Sequence, residues 1–248
     1  MLYHPTLDKL RMLKLSGMCL ALEEQTQSPD IMQFSFEERL GLLVDREITE
    51  RDNRRLTSRL RQARLKQQAC MEDIDYQANR GLDKAMLMKL SDCQWVKKSI
   101  NILITGPTGV GKSWIACALA QKACREGYSA YYHRLTRLLQ ELPLARGDGS
   151  YVKLLARLAK TDVLVLDDWG LVKLNAEQRR DLLEILEDRH GSRATVITSQ
   201  LPLDQWHGII GDATLADAIM DRLVHNAYKI NLTGESMRKK QAKLTDKN

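Results

Sequence analysis

The first ninety or so residues carry apolar positions at helical spacing and almost no runs of β-branched residues. Leu7, Leu10 and Leu13 recur every three residues, which places their side chains on one face of a helix. Ser35 precedes Glu38 by three residues, the spacing of a reciprocal capping box at a helix start. We therefore predict an all-helical N-terminal region whose longest helix begins near Ser35 and continues beyond residue 60.

From Ile100 onward, short apolar runs alternate with helical patterns, which predicts a mostly parallel sheet covered by helices on both faces. The fold class is thus a three-layer α/β core preceded by helices, with a helical domain over residues 1–95 and an α/β domain over residues 96–248. The predicted strands are Ile100–Thr105, Tyr128–His133, Asp162–Asp167, Ala194–Ser199 and Tyr228–Leu232. The predicted helices between them are Lys112–Glu126, Arg134–Leu142, Tyr151–Ala159, Ala176–His190 and Thr214–Val224.

A glycine-rich loop follows the first predicted strand and opens a helix. Its spacing, Gly-x4-Gly-Lys-Ser, is that of a phosphate-binding loop, in which glycines let backbone amides turn toward phosphate oxygens ahead of the positive helix end. Lys112 is expected to reach the β- and γ-phosphates, the Ser113 hydroxyl to bind Mg²⁺, and Trp114 to act by packing. The predicted nucleotide-binding residues are Gly106, Pro107, Thr108, Gly109, Val110, Gly111, Lys112, Ser113 and Trp114.

Two carboxylates, Asp167 and Asp168, end the apolar run of residues 163–166. A buried strand that ends in acids delivers them to the carboxyl edge of the sheet, where the phosphate loop also lies. We predict that Asp167 holds the Mg²⁺ and that Asp168 polarises the attacking water. Many ATPases with this pattern carry the longer Glu at the second position, so we expect slow hydrolysis.

Polar residues also end the strand predicted over Ala194–Ser199. Gln200, or the hydroxyls of Thr198 and Ser199, are candidates for hydrogen bonds to the γ-phosphate or the attacking water. Ordinary turn chemistry before Pro202 explains these residues nearly as well.

Arg222 lies near the end of the last predicted helix. An arginine there is able to stabilise phosphoryl-transfer charge in a neighbouring subunit, which requires an oligomer. By itself, an arginine at such a position is more often part of a surface ion pair.

Basic residues concentrate between Asn53 and Lys66, where no acid occurs. On a helix they surround an apolar stripe and are able to contact DNA phosphates, although a solvated charged face is an equally good interpretation. No groove-docking motif is recognisable, so DNA binding would be directed at the backbone and would depend strongly on salt. The candidate DNA-binding residues are Arg54, Arg55, Arg59, Arg61, Arg64 and Lys66.

Charge and composition agree with these predictions. The 248 residues carry 38 Lys and Arg against 32 Asp and Glu, a formal charge of +6, which favours an anionic partner such as nucleic acid. Hydrophobic residues at 44% and charged residues at 28% are typical of a globular protein and disfavour a fibrous or disordered chain. No apolar run is long enough to span a membrane and the N-terminus is interrupted by charges, so we expect a cytoplasmic protein without a membrane partner.

Together, these motifs resemble those of the IstB-like ATP-binding proteins, the ATPase subunits of bacterial insertion-sequence transposition, which are relatives of the helicase loader DnaC in the AAA+ class. The phosphate loop alone indicates only an NTPase, whereas the flanking blocks are similar to this family along nearly the whole chain. These blocks are Leu15–Met18, Phe36–Leu40, Gly106–Lys112, Leu166–Gly170, Thr198–Pro202, Trp206-His207, Ala216–Leu223 and Gly234–Arg238.

The resemblance implies an ATP- and Mg²⁺-dependent protein that assembles as a homo-oligomer on duplex DNA, deforms the DNA, and recruits or stimulates an integrase-type transposase. It implies that Arg222 is an arginine finger acting in trans, that Gln200 is a first sensor, and that the N-terminal helices engage DNA and neighbouring subunits. Only 48 residues follow Gln200, too few for the usual helical lid, which puts a second-sensor role for Arg238 in doubt.

Two other functions fit the same motifs. A replicative helicase loader would share the ATPase core but serve a hexameric helicase. A nucleotide-gated DNA scaffold would bind ATP with negligible turnover.

Overall fold

The computed structural model describes residues 5–77 and 80–237 of the chain. Its packing divides the chain into two compact units, residues 1–58 and residues 59–248. The sequence predicted a boundary after residue 95, whereas residues 59–95 pack with the second unit. The predicted assignment of functions to an N-terminal and a C-terminal domain stays a prediction.

The first unit is helical, as predicted. Ser35 and Glu38 form the predicted capping box, because the Glu38 amide donates to Ser35 Oγ at 3.2 Å and the Ser35 amide donates to Glu38 Oε2 at 2.7 Å. This reciprocal pair fixes the start of the longest helix. The helices that begin in this unit are α1 (Pro5–Met12), α2 (Ser16–Gln27) and α3 (Phe36–Ala63), with a 3-10 turn at Pro29–Gln33.

The second unit alternates strands and helices, as predicted. Two short helices, α4 (Lys84–Leu90) and α5 (Gln94–Lys97), precede the first strand. The strands are β1 (Asn101–Thr105), β2 (Ala130–Arg134), β3 (Val163–Trp169), β4 (Ala194–Ser199) and β5 (Ala227–Asn231). The helices among them are α6 (Lys112–Arg125), α7 (Leu135–Asp148), α8 (Tyr151–Lys160), α9 (Ala176–Arg189), α10 (Trp206–Ile210) and α11 (Ala213–Val224).

The five strands form one parallel sheet in the order β2-β3-β4-β1-β5. After β1 the chain crosses to the edge strand β2 and adds β3 and β4 back toward β1, whereas β5 pairs with the opposite side of β1. The direction of the strand order therefore reverses at β1. Ligands of open α/β sheets bind at such a switch point, beyond the carboxyl ends of the strands. The phosphate loop follows β1 directly, so the fold places it there.

Two local features differ from the sequence prediction. Helix α7 continues through Pro143 to Asp148 instead of ending at Leu142, since the turn beyond the proline buries Ala145. Helix α3 ends at Ala63, and the next residue, Arg64, adopts a left-handed φ of +50°. Arg64 and Lys66, which were predicted on the helix, therefore lie beyond its end.

The main core lies in the second unit, where strand side chains such as Leu103, Leu164 and Ile197 are fully buried beneath the helices. Burial on both sheet faces explains why the strands read as nearly continuous apolar runs. Within the described ranges, no helix combines the length and the apolar character needed to cross a membrane.

Candidate functional site

The phosphate loop turns at residues that only glycine suits. Gly106 has a φ of +142°, and a Cβ there would stand 2.2 Å from the Leu232 carbonyl oxygen. Gly111, with a φ of +99°, is the residue from which α6 begins. The loop therefore joins β1 to the positive end of α6, the arrangement that favours a bound phosphate.

Lys112 is buried and its side chain folds back over the loop. Its Nζ donates to the carbonyl oxygens of Gly106 and Pro107, at 2.8 and 2.7 Å. These bonds hold the ammonium at the mouth of the loop, within reach of a phosphate that enters it.

Asp167 lies at the centre of the site and its residue is completely buried. Ser113 and Thr198 donate to its Oδ1, at 2.6 and 2.5 Å, and Tyr132 donates to its Oδ2 at 2.5 Å. The Lys66 ammonium lies 3.6 Å from the same Oδ2. Asp167 thus connects β3 to the start of α6 and to the two strands that flank β3.

The pKa of Asp167 is below its usual value. Burial raises this pKa, but the hydroxyl groups that donate to the carboxylate, together with the Lys66 charge, lower it by more. Burial and the bond to Asp167 raise the pKa of Tyr132, so the phenol keeps its proton and acts as donor. Asp167 is therefore an ionised acceptor at neutral pH.

The residues at this position fit a magnesium ion. Mg²⁺ prefers oxygen ligands and is commonly held by one or two protein groups together with waters and phosphate oxygens. The Ser113 hydroxyl and the Asp167 carboxylate lie side by side next to the phosphate loop. No cluster of three or more His, Cys, Asp or Glu side chains suited to a metal occurs among the described residues.

Asp168 has hydrogen-bond partners different from those of Asp167. The pairing of β3 with β4 is irregular between Leu166 and Trp169, and Asp168 has a φ of +64°. Its amide donates to Thr198 Oγ1 at 3.2 Å, and its Oδ2 accepts a 2.6 Å bond from Arg134 Nε. The second aspartate is therefore presented at the strand end, held by a partly exposed arginine.

The predicted sensor residue reaches the phosphate loop. Thr108 Oγ1 donates to the side-chain oxygen of Gln200 at 2.7 Å. The structure thus places Gln200 beside the loop. Trp114 lies half-buried on α6. The roles of both residues toward a nucleotide remain predictions.

Arg222 lies at the opposite end of the sheet. The side chain of Asn101, the first residue of β1, donates to the carbonyl oxygens of Arg222 and Leu223. The phosphate loop begins at the other end of β1, about five residues or roughly 15 Å away. The Arg222 guanidinium pairs with Glu187 and donates to the Ala218 carbonyl oxygen.

Most of the candidate DNA-binding residues make contacts within their own unit. Arg54 donates to Ser16, and Arg55 pairs with Asp52 at 3.4 Å. Arg61 is exposed on α3, and Lys66 lies at Asp167. Arg59 donates to the Cys124 carbonyl oxygen at 2.9 Å, and the Arg64 guanidinium lies 5.9 Å from the centre of the Tyr131 ring. Arg238 and the basic residues after it lie outside the described residues.

Sequence reasoning missed three side chains at the site: Lys66, Tyr132 and Arg134. Arg134 is the last residue of β2 and is in register with Asp167, and Tyr132 lies two residues before it. Polar residues at the end of a predicted strand were a usable signal for both. No local pattern signals the position of Lys66, because only the path of the chain after α3 brings it to the site.

Comparison with known proteins agrees with this geometry. A family model described as IstB-like ATP-binding protein matches residues 8–245. An insertion sequence ATP-binding protein of Sinorhizobium fredii is 54% identical over 241 residues, covering 97% of this chain and 98% of its own. An IS1162 ATP-binding protein of Pseudomonas fluorescens is 52% identical over 203 residues, covering 82% of this chain and 88% of its own.

Solved structures share the fold of the second unit's core. DnaI is 24% identical, with a TM-score of 0.58 over 67% of this chain and 92% of its own. The DnaC helicase loader is 19% identical, with a TM-score of 0.54 over 66% of this chain and 96% of its own. The sequence matches extend beyond this shared fold to nearly the full length, and the chain belongs to the family of IstB-like ATP-binding proteins.

Proposed function

We propose that this protein is a cytoplasmic ATPase that assembles as a homo-oligomer on duplex DNA and assists transposition. It deforms target DNA and recruits or stimulates an integrase-type transposase, and slow, DNA-stimulated ATP hydrolysis resets the assembly. Its relatives' designation as insertion sequence proteins supports the transposition setting.

The observation that carries the assembly argument is the position of Arg222. It lies at the amino end of β1, whereas the phosphate loop begins at the carboxyl end. An arginine that stabilises phosphoryl-transfer charge from this place acts on the nucleotide of a neighbouring copy. ATP bound between two copies then favours their association, because each copy completes the other's site.

Within the site, each residue has a proposed role. Lys112 binds the β- and γ-phosphates, and Ser113 and Asp167 hold Mg²⁺, which neutralises phosphate charge when bound. Asp168 accepts a proton from the attacking water, and Gln200 orients that water or the γ-phosphate. The contact between Gln200 and Thr108 supports this, since it positions the amide beside the loop.

A helicase loader remains the second candidate, because DnaI and the DnaC loader share the fold. Such a loader would bind a hexameric helicase and would not bind a transposase. Pull-down of the protein with each partner on duplex DNA separates the two functions.

Lys112→Ala tests the coupling between nucleotide and assembly. Removing the ammonium is expected to weaken ATP binding at least about ten-fold, since a charge-assisted phosphate contact is lost. Sedimentation with duplex DNA and a non-hydrolysable ATP analogue is then expected to show no ATP-dependent multimers.

Lys153→Ala is the matched control, because Lys153 is exposed on α8. Parent-like assemblies formed by Lys112→Ala, or by the parent without nucleotide, contradict the proposal. ATP-dependent assembly without DNA-stimulated phosphate release favours the scaffold function instead.

A further inference from the structure

The segment that follows α3 packs against the helix of the nucleotide site. We call residues 64–71 the connector. It begins at Arg64, whose φ of +50° ends the helix, and it buries Ala69 and Met71. The backbone amides of Lys66 and Gln67 lower the pKa of the Cys117 thiol on α6, against the raising effect of burial, and the 3-10 turn that begins at Met71 packs against the same helix. The connector therefore lies along the helix that starts at the phosphate loop.

This attachment brings the connector close to the metal ligand Ser113. Cys117 is four residues after Ser113, so both side chains lie on the same face of α6. The backbone of Lys66 lies near Cys117, and its side chain reaches Asp167. Its Nζ is 3.6 Å from Asp167 Oδ2, and 37% of the Lys66 side chain stays exposed.

Lys66 supplies a full positive charge to a carboxylate that three neutral hydroxyls also hold. Ser113, Thr198 and Tyr132 compensate the buried oxygens by hydrogen bonding. A buried carboxylate gains from a nearby cation because the low dielectric strengthens their attraction. The same low dielectric makes a second cation beside the first unfavourable.

We propose that Lys66 is a positioning residue of the metal site, which holds Asp167 in the nucleotide-free protein and is displaced when Mg²⁺ enters with a nucleotide. This inference rests on the proposed Mg²⁺ site at Ser113 and Asp167. Displacement removes one anchor of the connector, which leads directly in sequence to α3. Binding of Mg²⁺ and nucleotide thereby loosens the connector, which joins α3 to the α/β core.

Lys66→Met tests the competition, because it removes the charge and keeps most of the side-chain length. With a fluorescent ADP analogue bound, Mg²⁺ is added stepwise and its half-saturating concentration is measured. We expect that concentration to fall about five-fold, the effect of losing one partly exposed ion pair. Nucleotide affinity without metal is expected to stay unchanged.

Two further variants complete the experiment. Lys66→Arg keeps the charge and is expected to restore the parent's Mg²⁺ requirement. Lys153→Met makes the same charge change on α8, and parent-like Mg²⁺ dependence is expected. An unchanged or higher half-saturating concentration in Lys66→Met overturns the inference. A parent whose nucleotide binding shows no Mg²⁺ dependence instead defeats the metal site of the proposed function.

Hydrogen exchange of the connector gives a readout independent of affinity. In the parent, Mg²⁺ with ADP is expected to speed exchange over residues 66–71, whereas ADP alone is not. In Lys66→Met, exchange is expected to be fast in both conditions, because the anchor is already absent. If Mg²⁺ does not change the hydrogen-exchange rate of the connector in the parent, the inference is overturned.

Discussion

Two adjacent aspartates at the end of β3 have different surroundings. Asp167 is buried and accepts hydrogen bonds from hydroxyls on three other elements. Asp168 has a φ of +64°, keeps 15% of its side chain exposed and is bound by Arg134. The fully buried carboxylate fits the proposed role in metal binding, and the partly exposed one fits the proposed contact with a water at the γ-phosphate.

Asp168→Asn is expected to slow ATP hydrolysis about 100-fold while ATP binding is retained, because the amide cannot accept the water's proton. Steady-state phosphate release and equilibrium ATP binding measure the two effects. Arg134→Gln is the comparison variant, since it removes the partner and leaves the carboxylate in place. Turnover in Asp168→Asn as fast as in the parent would show that Asp168 is not the base.

At the scale of elements, one close approach holds α2 against α3. A Cβ at Gly17 would stand 2.6 Å from the Glu47 Cα and 2.7 Å from the Arg46 carbonyl oxygen. Glu47 is buried, and its Oε2 accepts the amides of Gly17 and Met18, at 2.7 and 3.2 Å. This carboxylate satisfies two amides at the start of α2, where no side-chain cap is present.

The charge of Glu47 contributes to this packing near neutral pH. Burial raises the pKa of Glu47, but its bonds to Arg51, Met18 and Gly17 lower it by more, and the net pKa lies below the usual value. A lowered folded-state pKa stabilises the fold above the unfolded-state pKa of about 4.3. That stabilisation is lost as the pH falls through the lowered value.

Gly17→Ala is expected to destabilise the helical unit by about 1–3 kcal/mol, because its methyl group meets backbone that cannot yield. Gly41→Ala is the matched control: it also lies in a helix, but no atom lies within 4 Å of its Cβ position. Alanine there is expected to be neutral or stabilising by up to about 1 kcal/mol. Hydrogen exchange over α2 and α3 measures both, and equal protection in the two variants contradicts the packing argument.

At the scale of the whole molecule, the nucleotide loop and Arg222 lie at opposite ends of β1. The length of β1 separates them, so Arg222 and the phosphate loop do not meet within a single copy. Helix α11 holds Arg222 rigidly, because its amino end is capped by Asp212 and its buried face includes Ile219 and Leu223. Under the proposed function, the site is therefore completed only when two copies associate.

Mixing two inactive variants tests this directly. Arg222→Ala keeps a phosphate loop, and Lys112→Ala keeps an arginine, so each is expected to hydrolyse ATP poorly alone. Lys112→Ala does not multimerise by itself, but ATP bound by an Arg222→Ala copy is expected to recruit the intact arginine of a Lys112→Ala copy, so in a mixture DNA-stimulated phosphate release is expected to return in part. Arg180→Ala, an exposed change on α9, is expected to behave like the parent. A mixture as inactive as its components rules out action in trans.

Local rules in the sequence determined the α/β class, the order of strands and helices, the capped start of α3 and the phosphate loop. These features depend on periodicity, turn chemistry and a motif only a few residues long, which neighbours along the chain decide. Asp167 and Asp168 were also predictable, because they end an apolar strand in a sheet of known polarity.

Tertiary structure alone decided which side chains surround those carboxylates. Strand register brought Tyr132 and Arg134 to them, and the path of the chain after α3 brought Lys66. It also grouped residues 59–95 with the α/β core and carried α7 past Pro143. These outcomes depend on contacts between residues far apart in sequence. The free energy of such contacts cannot be read from a local sequence pattern.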